Sequence, residues 1–257
     1  DLSCYESAVL QEPEGCGGSQ LMHRIFEPGR RVFVSKPINH FELEPSAKLS
    51  LLFGGGIGVT PMLAFAHELH RKGGRFRLMY SASQKSKAAF DGAFDGLAWA
   101  DRVSRHYSDQ GTRLDIARDV PAYDAGTHIY VCGPDAYMSA ILDHARSIGY
   151  PEAALHAEFF TVPELPEWEN HPFEIERANG QKIPVTATQS ASDALIAAGI
   201  PVDVKCADGL CGVCKCTVLS GEVEHRDFVL SAAQRETTVI LCQSRAAEAG
   251  GVLKLDI

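Results

Sequence analysis

The chain has 257 residues, a length that suggests roughly two domains, or three if they are small. It is 45% hydrophobic and 22% charged, with no apolar run long enough to span a bilayer and no charged-then-apolar leader, so a cytoplasmic protein without a membrane partner is expected. A formal net charge of -9 argues against a nucleic-acid surface, which needs clustered Lys and Arg, and is compatible with docking onto a basic protein partner.

Residues 5–11 (YESAVLQ) and 31–35 (RVFVS) alternate as antiparallel strands do. Between them, EGCGGS leads into a short helix predicted over 20–26 with Ser19 as its N-cap. At Leu49 the pattern changes. An apolar strand (LSLLF) runs into the turn GGGIG, and Pro61 is placed at the first position of a helix that continues through His70, with Leu63, Ala66 and Leu69 on one face. Further strands are expected at 76–80, 103–107 and 128–132, separated by helical stretches, the last over 136–147. Strands alternating with helices imply a parallel, doubly wound sheet.

Residues 161–172 (TVPELPEWENHP) hold three prolines and several acids, which cannot continue a helix or sheet, so a linker is placed at 163–172. Beyond it, 173–177 and 183–188 predict a hairpin around Asn179-Gly180, and 192–198 a short helix closed by Gly199. A glycine-rich cysteine loop and more short strands complete the chain, which shows no internal repeat and no low-complexity tract.

Four of the eight cysteines fall between positions 206 and 216, a clustering that points to a metal site rather than to disulfides. Cys206, Cys211 and Cys214 have the C-x4-C-x2-C spacing of a plant-type [2Fe-2S] loop, and Cys242 follows the apolar run TVIL far downstream. Four thiolates hold two irons, and a loop wrapped around them must be glycine-rich so that backbone N–H groups near Gly209 and Gly212 can turn toward sulfur. The alternative is a structural zinc site, which Cys211-x2-Cys214 alone would fit. Cys216 lies two residues beyond a complete ligand set and is read as a packed thiol.

These residues, with VLSGEVEHRDFVLS and CQSRA around them, resemble the C-terminal ferredoxin of the phthalate dioxygenase reductase and vanillate demethylase reductase family. Two further turns extend the resemblance. GGGIGVTPM after a strand, and Tyr130-Val-Cys-Gly-Pro134 after another, are similar to the nicotinamide-binding domain of ferredoxin reductases. The third glycine of the usual dinucleotide pattern is absent, so a generic strand-helix turn is the competing reading. The resemblance implies that Gly55, Gly56, Gly58, Thr60 and Pro61 approach pyrophosphate and nicotinamide, with Cys132, Gly133 and Pro134 beside the nicotinamide ring. Cys132 by itself reads by default as a small buried hydrophobe. The end of the second strand, including Ser81 and Gln84, is expected to meet the coenzyme ribose. It holds no acid for a 2'-hydroxyl and no Arg for a 2'-phosphate, Lys85 and Lys87 being read as solvated, so NADH is favoured by the resemblance alone.

A nicotinamide gives electrons in pairs and a [2Fe-2S] cluster takes them singly, so a flavin must stand between them. The resemblance implies FMN in an N-terminal antiparallel barrel, with its phosphate at a G-G-S motif that Gly17, Gly18 and Ser19 match, and its ring near Phe160 of His156-Ala-Glu158-Phe159-Phe160. A tight loop without ligand is the alternative for Gly17–Ser19, and a core aromatic for Phe160. The family's R-x-Y-S motif is absent, and the barrel is expected to lack roughly 60 residues, judged by ordinary small-barrel sizes.

The fold expected is therefore multidomain. A partial flavin-type β-barrel (1–47) precedes an α/β doubly wound NAD-binding domain (48–162), and after the linker comes an α+β β-grasp ferredoxin domain (173–257). Electrons are expected to pass from NADH through FMN to the cluster. No acid–base residue is needed, since catalysis is ring alignment near Thr60, Cys132 and Phe160. The resemblance implies a Rieske non-haem iron oxygenase for aromatic acids as acceptor, served by a monomer. Two alternatives are an electron carrier without NADH oxidase activity and a zinc-stabilised interaction module.

Overall fold

A computed structural model describes residues 5–15, 17–34, 36–162 and 168–257. The chain divides into two compact units, Asp1–His156 and Ala157–Ile257.

Helix α1 (Gly18–Ile25) is the one regular element of the first 47 positions among the described residues. The strands predicted at 5–11 and 31–35 do not form in the described part of either segment, Ser35 lying outside the described residues. An extended segment becomes a strand only when a ladder partner satisfies its N–H and C=O groups. Here none does, and Phe33 stands 97% exposed. The N-cap of α1 is Gly17, in the left-handed region at φ 88°, rather than Ser19. The Ser19 Oγ instead accepts the Glu12 N–H at 3.0 Å, while the Gln20 amide donates to the carbonyls of Glu12 and Pro13. Side chains of the first turn thus strap the preceding segment onto the helix.

The remainder of this unit is a sheet of order β3-β2-β1-β4-β5, with β1 (Leu49–Gly55), β2 (Phe76–Ala82), β3 (Val103–Tyr107) and β4 (Thr127–Cys132) paired in parallel and β5 (Leu155–Glu158) beside β4. Helix α2 (Val59–Lys72) follows β1, α3 (Ile116–Asp119) precedes β4, and α4 (Asp135–Ser147) follows it. The order 3-2-1-4-5 is that of a doubly wound sheet, whose central strand must be apolar on both faces. Leu51, Leu52 and Phe53 of β1 are accordingly wholly buried. Helix α2 begins two residues before its predicted start, so Pro61 occupies the third helical position. That is tolerated because first-turn N–H groups have no intrahelical acceptor to lose. Phe41 packs against Phe65 and Tyr130, and the Glu44 N–H donates to the Tyr130 hydroxyl at 2.7 Å, tying residues 41–44 to the sheet.

The second unit is a mixed sheet of order β10-β8-β12-β6-β7, built from β6 (Phe173–Arg177), β7 (Lys182–Val185), β8 (Lys215–Ser220), β10 (Thr238–Ile240) and β12 (Val252–Leu255). Only β12 and β6 run parallel; the other neighbours are antiparallel. Helix α5 (Ala191–Ala197) lends Ala191, Ala194 and Leu195 to the core over this sheet, which is the β-grasp arrangement. Strands β9 (Val223–Glu224) and β11 (Arg245–Ala246) form a small ribbon, and α6 (Ala232–Arg235) precedes β10. The predicted Asn179-Gly180 turn is present, with Gly180 at φ 82° and its N–H on the Arg177 carbonyl at 2.9 Å. Helix α5 starts one residue early because Ser190 and Asp193 close a capping box.

Strand β7 stops at Val185 rather than at 188. Arg245, 5% exposed, takes the carbonyls of Thr186 at 2.7 Å and Gln189 at 2.9 Å and draws the chain off the ladder. The same guanidinium holds the His171 carbonyl at 2.7 Å, while Arg226 binds the Asn170 side chain and the Glu169 carbonyl and stacks over Trp168. Residues 168–172, expected to be linker, therefore belong to the second unit; residues 163–167 lie outside the described residues. Among the described residues no helix is long and apolar enough to cross a membrane.

Candidate functional site

The segment between α5 and β8 carries no regular structure, and around its cysteines the path is set by three residues in the left-handed region: Ala207 (φ 59°), Gly209 (φ 75°) and Gly212 (φ 63°). Such turns point successive N–H groups inward. The Asp208 N–H donates to the Cys206 Sγ at 3.4 Å. Burial opposes ionisation of Cys206, but the N–H groups of Asp208, Cys211 and Leu210 and the Cys211 thiol outweigh it, so its pKa lies below the ordinary thiol value. The loop is closed from outside by Gln243, whose amide donates to the Ala207 carbonyl at 2.6 Å, and by the Phe228 N–H on the Gly209 carbonyl at 3.2 Å. A Cβ on Gly209 would stand 3.2 Å from the Asp227 Cα, and the residue's N–H is turned onto Cys242.

The Leu241 N–H on the Cys214 carbonyl, at 3.2 Å, brings the distant cysteine to the loop. The thiols meet as two pairs, Cys206 with Cys211 and Cys214 with Cys242. A hydrogen bond from Cys242, helped by nearby N–H groups, holds Cys214 down to about 6, and the same bond raises Cys242. A tetrahedral zinc needs its donors around a single point, whereas two irons bridged by sulfide need two thiolates each. The paired arrangement thus fits a [2Fe-2S] cluster. Cys214 and Cys242 are buried, while Cys206 and Cys211 are partly exposed. Cys216 is a packed thiol, as read from the sequence: it sits in the core with its Sγ donating to the Thr217 carbonyl at 3.6 Å, and burial pushes its pKa up.

In the first unit the two glycine turns meet at the C-terminal edge of the parallel sheet. Register pairs Gly54 with Cys132 and Gly55 with Ser81. A Cβ on Gly58 would lie 2.3 Å from the Cys132 carbonyl oxygen, and one on Gly133 would lie 2.9 Å from the Gly55 Cα, so both glycines are required by close backbone crossing. Gly56 differs: at φ 56° its added Cβ would meet nothing within 4 Å, leaving open space above the turn. The turn thus leaves the start of α2 uncovered on this side, where a helix N-terminus offers N–H groups.

Thr60 and Pro61 lie in the first turn of α2, the Thr60 hydroxyl donating to the Ile57 carbonyl at 2.9 Å, and Gln84 opens the turn after β2. Cys132 is wholly buried, whereas Gly133 and Pro134 reach the surface. Tyr137, which the sequence reading passed over as one more position of α4, lies beneath Gly55. Its ring is 3.0 Å from where a Gly55 Cβ would be, and its buried hydroxyl faces Ser81 with neither oxygen in hydrogen-bonding geometry.

Gly17, Gly18 and Ser19 start α1, whose first turn has no capping side chain and no buried residue. Phe160 is 48% exposed, which removes the reading of it as a core aromatic. His156 stacks on Tyr130 at 4.5 Å and shares a hydrogen bond with His128 at 3.0 Å, so the first residue of the H-x-E-x-F run anchors β5 to β4.

Residues 174–247 match the 2Fe-2S iron-sulfur cluster binding domain family. Over 98% of its length the chain is 39% identical to the vanillate O-demethylase oxidoreductase of Pseudomonas sp. (strain HR199 / DSM 7063), covering 81% of that protein. Phthalate dioxygenase reductase, described as a modular structure for electron transfer from pyridine nucleotides to [2Fe-2S], is 33% identical with a TM-score of 0.62, over 97% of this chain and 78% of that one. An intact type IV self-sufficient cytochrome P450 monooxygenase is 34% identical with a TM-score of 0.88, over 97% of this chain and 32% of that one. With 39% identity to one such reductase over nearly its whole length and an iron-sulfur domain match in its second unit, the chain belongs to the family of the phthalate dioxygenase and vanillate O-demethylase reductases.

Proposed function

We propose that the protein is the reductase component of an oxygenase or demethylase system, passing electrons from NADH through FMN to the [2Fe-2S] cluster and on to a Rieske-type non-haem iron oxygenase with an aromatic substrate. The observation that carries this reading is the meeting of four thiols as two pairs, three of them from a loop lined by N–H groups and the fourth, Cys242, brought to it from beyond β10. The relatives' names, which include a demethylase oxidoreductase and a dioxygenase reductase, support an oxygenase as acceptor.

Cys206, Cys211, Cys214 and Cys242 hold the irons. A cluster held there would meet N–H groups that favour its more negative reduced state, and Cys206 and Cys211, the partly exposed pair, would form its accessible side. A plant-type potential on the order of -400 mV suits delivery to an oxygenase. In the nucleotide domain (48–162), the open face of Gly56 and the N–H groups of the α2 start hold the pyrophosphate. Gly55, Gly58, Thr60, Pro61, Gly133 and Pro134 shape the nicotinamide end, with the buried Cys132 supporting the crossing from below, and Ser81 and Gln84 the ribose end. When bound, the flavin accepts electrons as a pair and releases them singly. The uncapped start of α1 at Gly17, Gly18 and Ser19 suits the FMN phosphate, with residues 1–47 forming the flavin-binding part. The protein works as a cytoplasmic monomer.

An absorption spectrum tests the reading, with broad cluster bands beyond about 500 nm and flavin bands near 450 nm expected from cofactor chemistry. Cys211→Ser is expected to lose the cluster bands and NADH-dependent cytochrome c reduction together. A variant with an intact cluster spectrum refutes the ligand set. Wild-type protein with cluster bands but no turnover would instead be an electron carrier without NADH oxidase activity.

A further inference from the structure

The turn after β2, where a doubly wound fold reads the coenzyme ribose, contains no acid in Ser83-Gln84-Lys85. The neighbouring strand supplies one. Strands β2 and β3 end side by side, with Ala82 paired to Tyr107. Just beyond, the Asp109 N–H donates to the Ser83 carbonyl at 3.1 Å, and the Asp109 carboxylate accepts the Lys85 N–H at 3.1 and 3.3 Å. Two backbone contacts thus fix this carboxylate against the ribose turn. It is a surface residue with further lone pairs open to an incoming hydroxyl.

From this placement we propose that Asp109 is the residue that selects NADH over NADPH. A ribose 2'-hydroxyl donates to the fixed carboxylate, while a 2'-phosphate places a like charge against it. The cations that would favour a phosphate are Lys85 and Lys87, and the Lys85 ammonium is turned over the Tyr107 ring, 5.8 Å from its centroid. The inference rests on the nucleotide reading above and adds the group that discriminates the 2' position.

Titration calorimetry of the full chain with NAD⁺ and with NADP⁺ tests it without turnover. Wild type is expected to bind NAD⁺ more tightly, and Asp109→Asn, whose amide oxygen still accepts the Lys85 N–H, to narrow the ratio about tenfold or more. Asp109→Ser, which drops both the charge and the Lys85 contact, is expected to narrow it at least as far. Circular dichroism and cluster absorbance confirm that both variants fold. An unchanged ratio in the folded variants, or a wild type that prefers NADP⁺, overturns the assignment of Asp109. Binding of neither nucleotide by wild type overturns the nucleotide reading itself, and Asp109 with it.

Discussion

His156 shows how one buried side chain couples a family motif to stability. Burial first, and then the neighbouring His128, pull its pKa from 6.5 down to about 4, so it is neutral in the folded protein and stacked flat on Tyr130. The unfolded chain binds a proton at pH values where the folded one does not, so stability is full above about pH 6.5 and is lost as pH falls toward 4. Between pH 7 and pH 5 the loss is expected to be about 2 kcal/mol. Urea unfolding at both pH values, with Tyr or Trp fluorescence as the probe, measures it. His156→Phe keeps the stack but has no proton to bind, and is expected to flatten the difference. A His156→Phe profile as steep as wild type would assign the effect elsewhere.

At the scale of elements, the ferredoxin unit is held by two buried arginines rather than by strand pairing alone. Arg226 joins Glu224, Asn170 and Glu169, and Arg245 holds three carbonyls, from His171, Thr186 and Gln189. Removing the guanidinium leaves those carbonyls without a donor in a dry site, at about 1–3 kcal/mol each. Arg245→Met is therefore expected to destabilise the unit by about 3 kcal/mol or more. Lys at this position recovers only part, because one ammonium cannot span the fork. Denaturant titration followed at the cluster absorbance distinguishes the two variants, and equal stability of wild type and Arg245→Met would show that water replaces the donor.

For the whole molecule, the two units rest on different sources of order. The first has a parallel sheet with a buried central strand, while the second closes a loop that brings Cys206 against Cys211 and Cys214 against Cys242. Removing iron with a chelator under reducing conditions is expected to bleach the visible bands and lower the unfolding temperature of the ferredoxin unit, with NAD⁺ affinity unchanged. Lost NAD⁺ binding on iron removal would mean that the cluster also sustains the nucleotide cradle.

Spacing along the chain was enough to single out thiols that the fold brings together, because Cys206, Cys211 and Cys214 are sequence neighbours and only Cys242 arrives from afar. Periodicity was likewise enough for the doubly wound sheet and the β-grasp hairpin, since apolar runs and left-handed glycines act locally. It failed at 5–11 and 31–35, where alternation promises a strand and only a ladder partner makes one. It also failed at 186–188 and 168–172, where guanidinium groups from residues far along the chain decide whether backbone joins the sheet or the linker. Asp109 beside Ser83 and Tyr137 beneath Gly55 belong with these, since a contact across neighbouring strands or between a helix and a turn leaves no periodic trace in the chain that makes it.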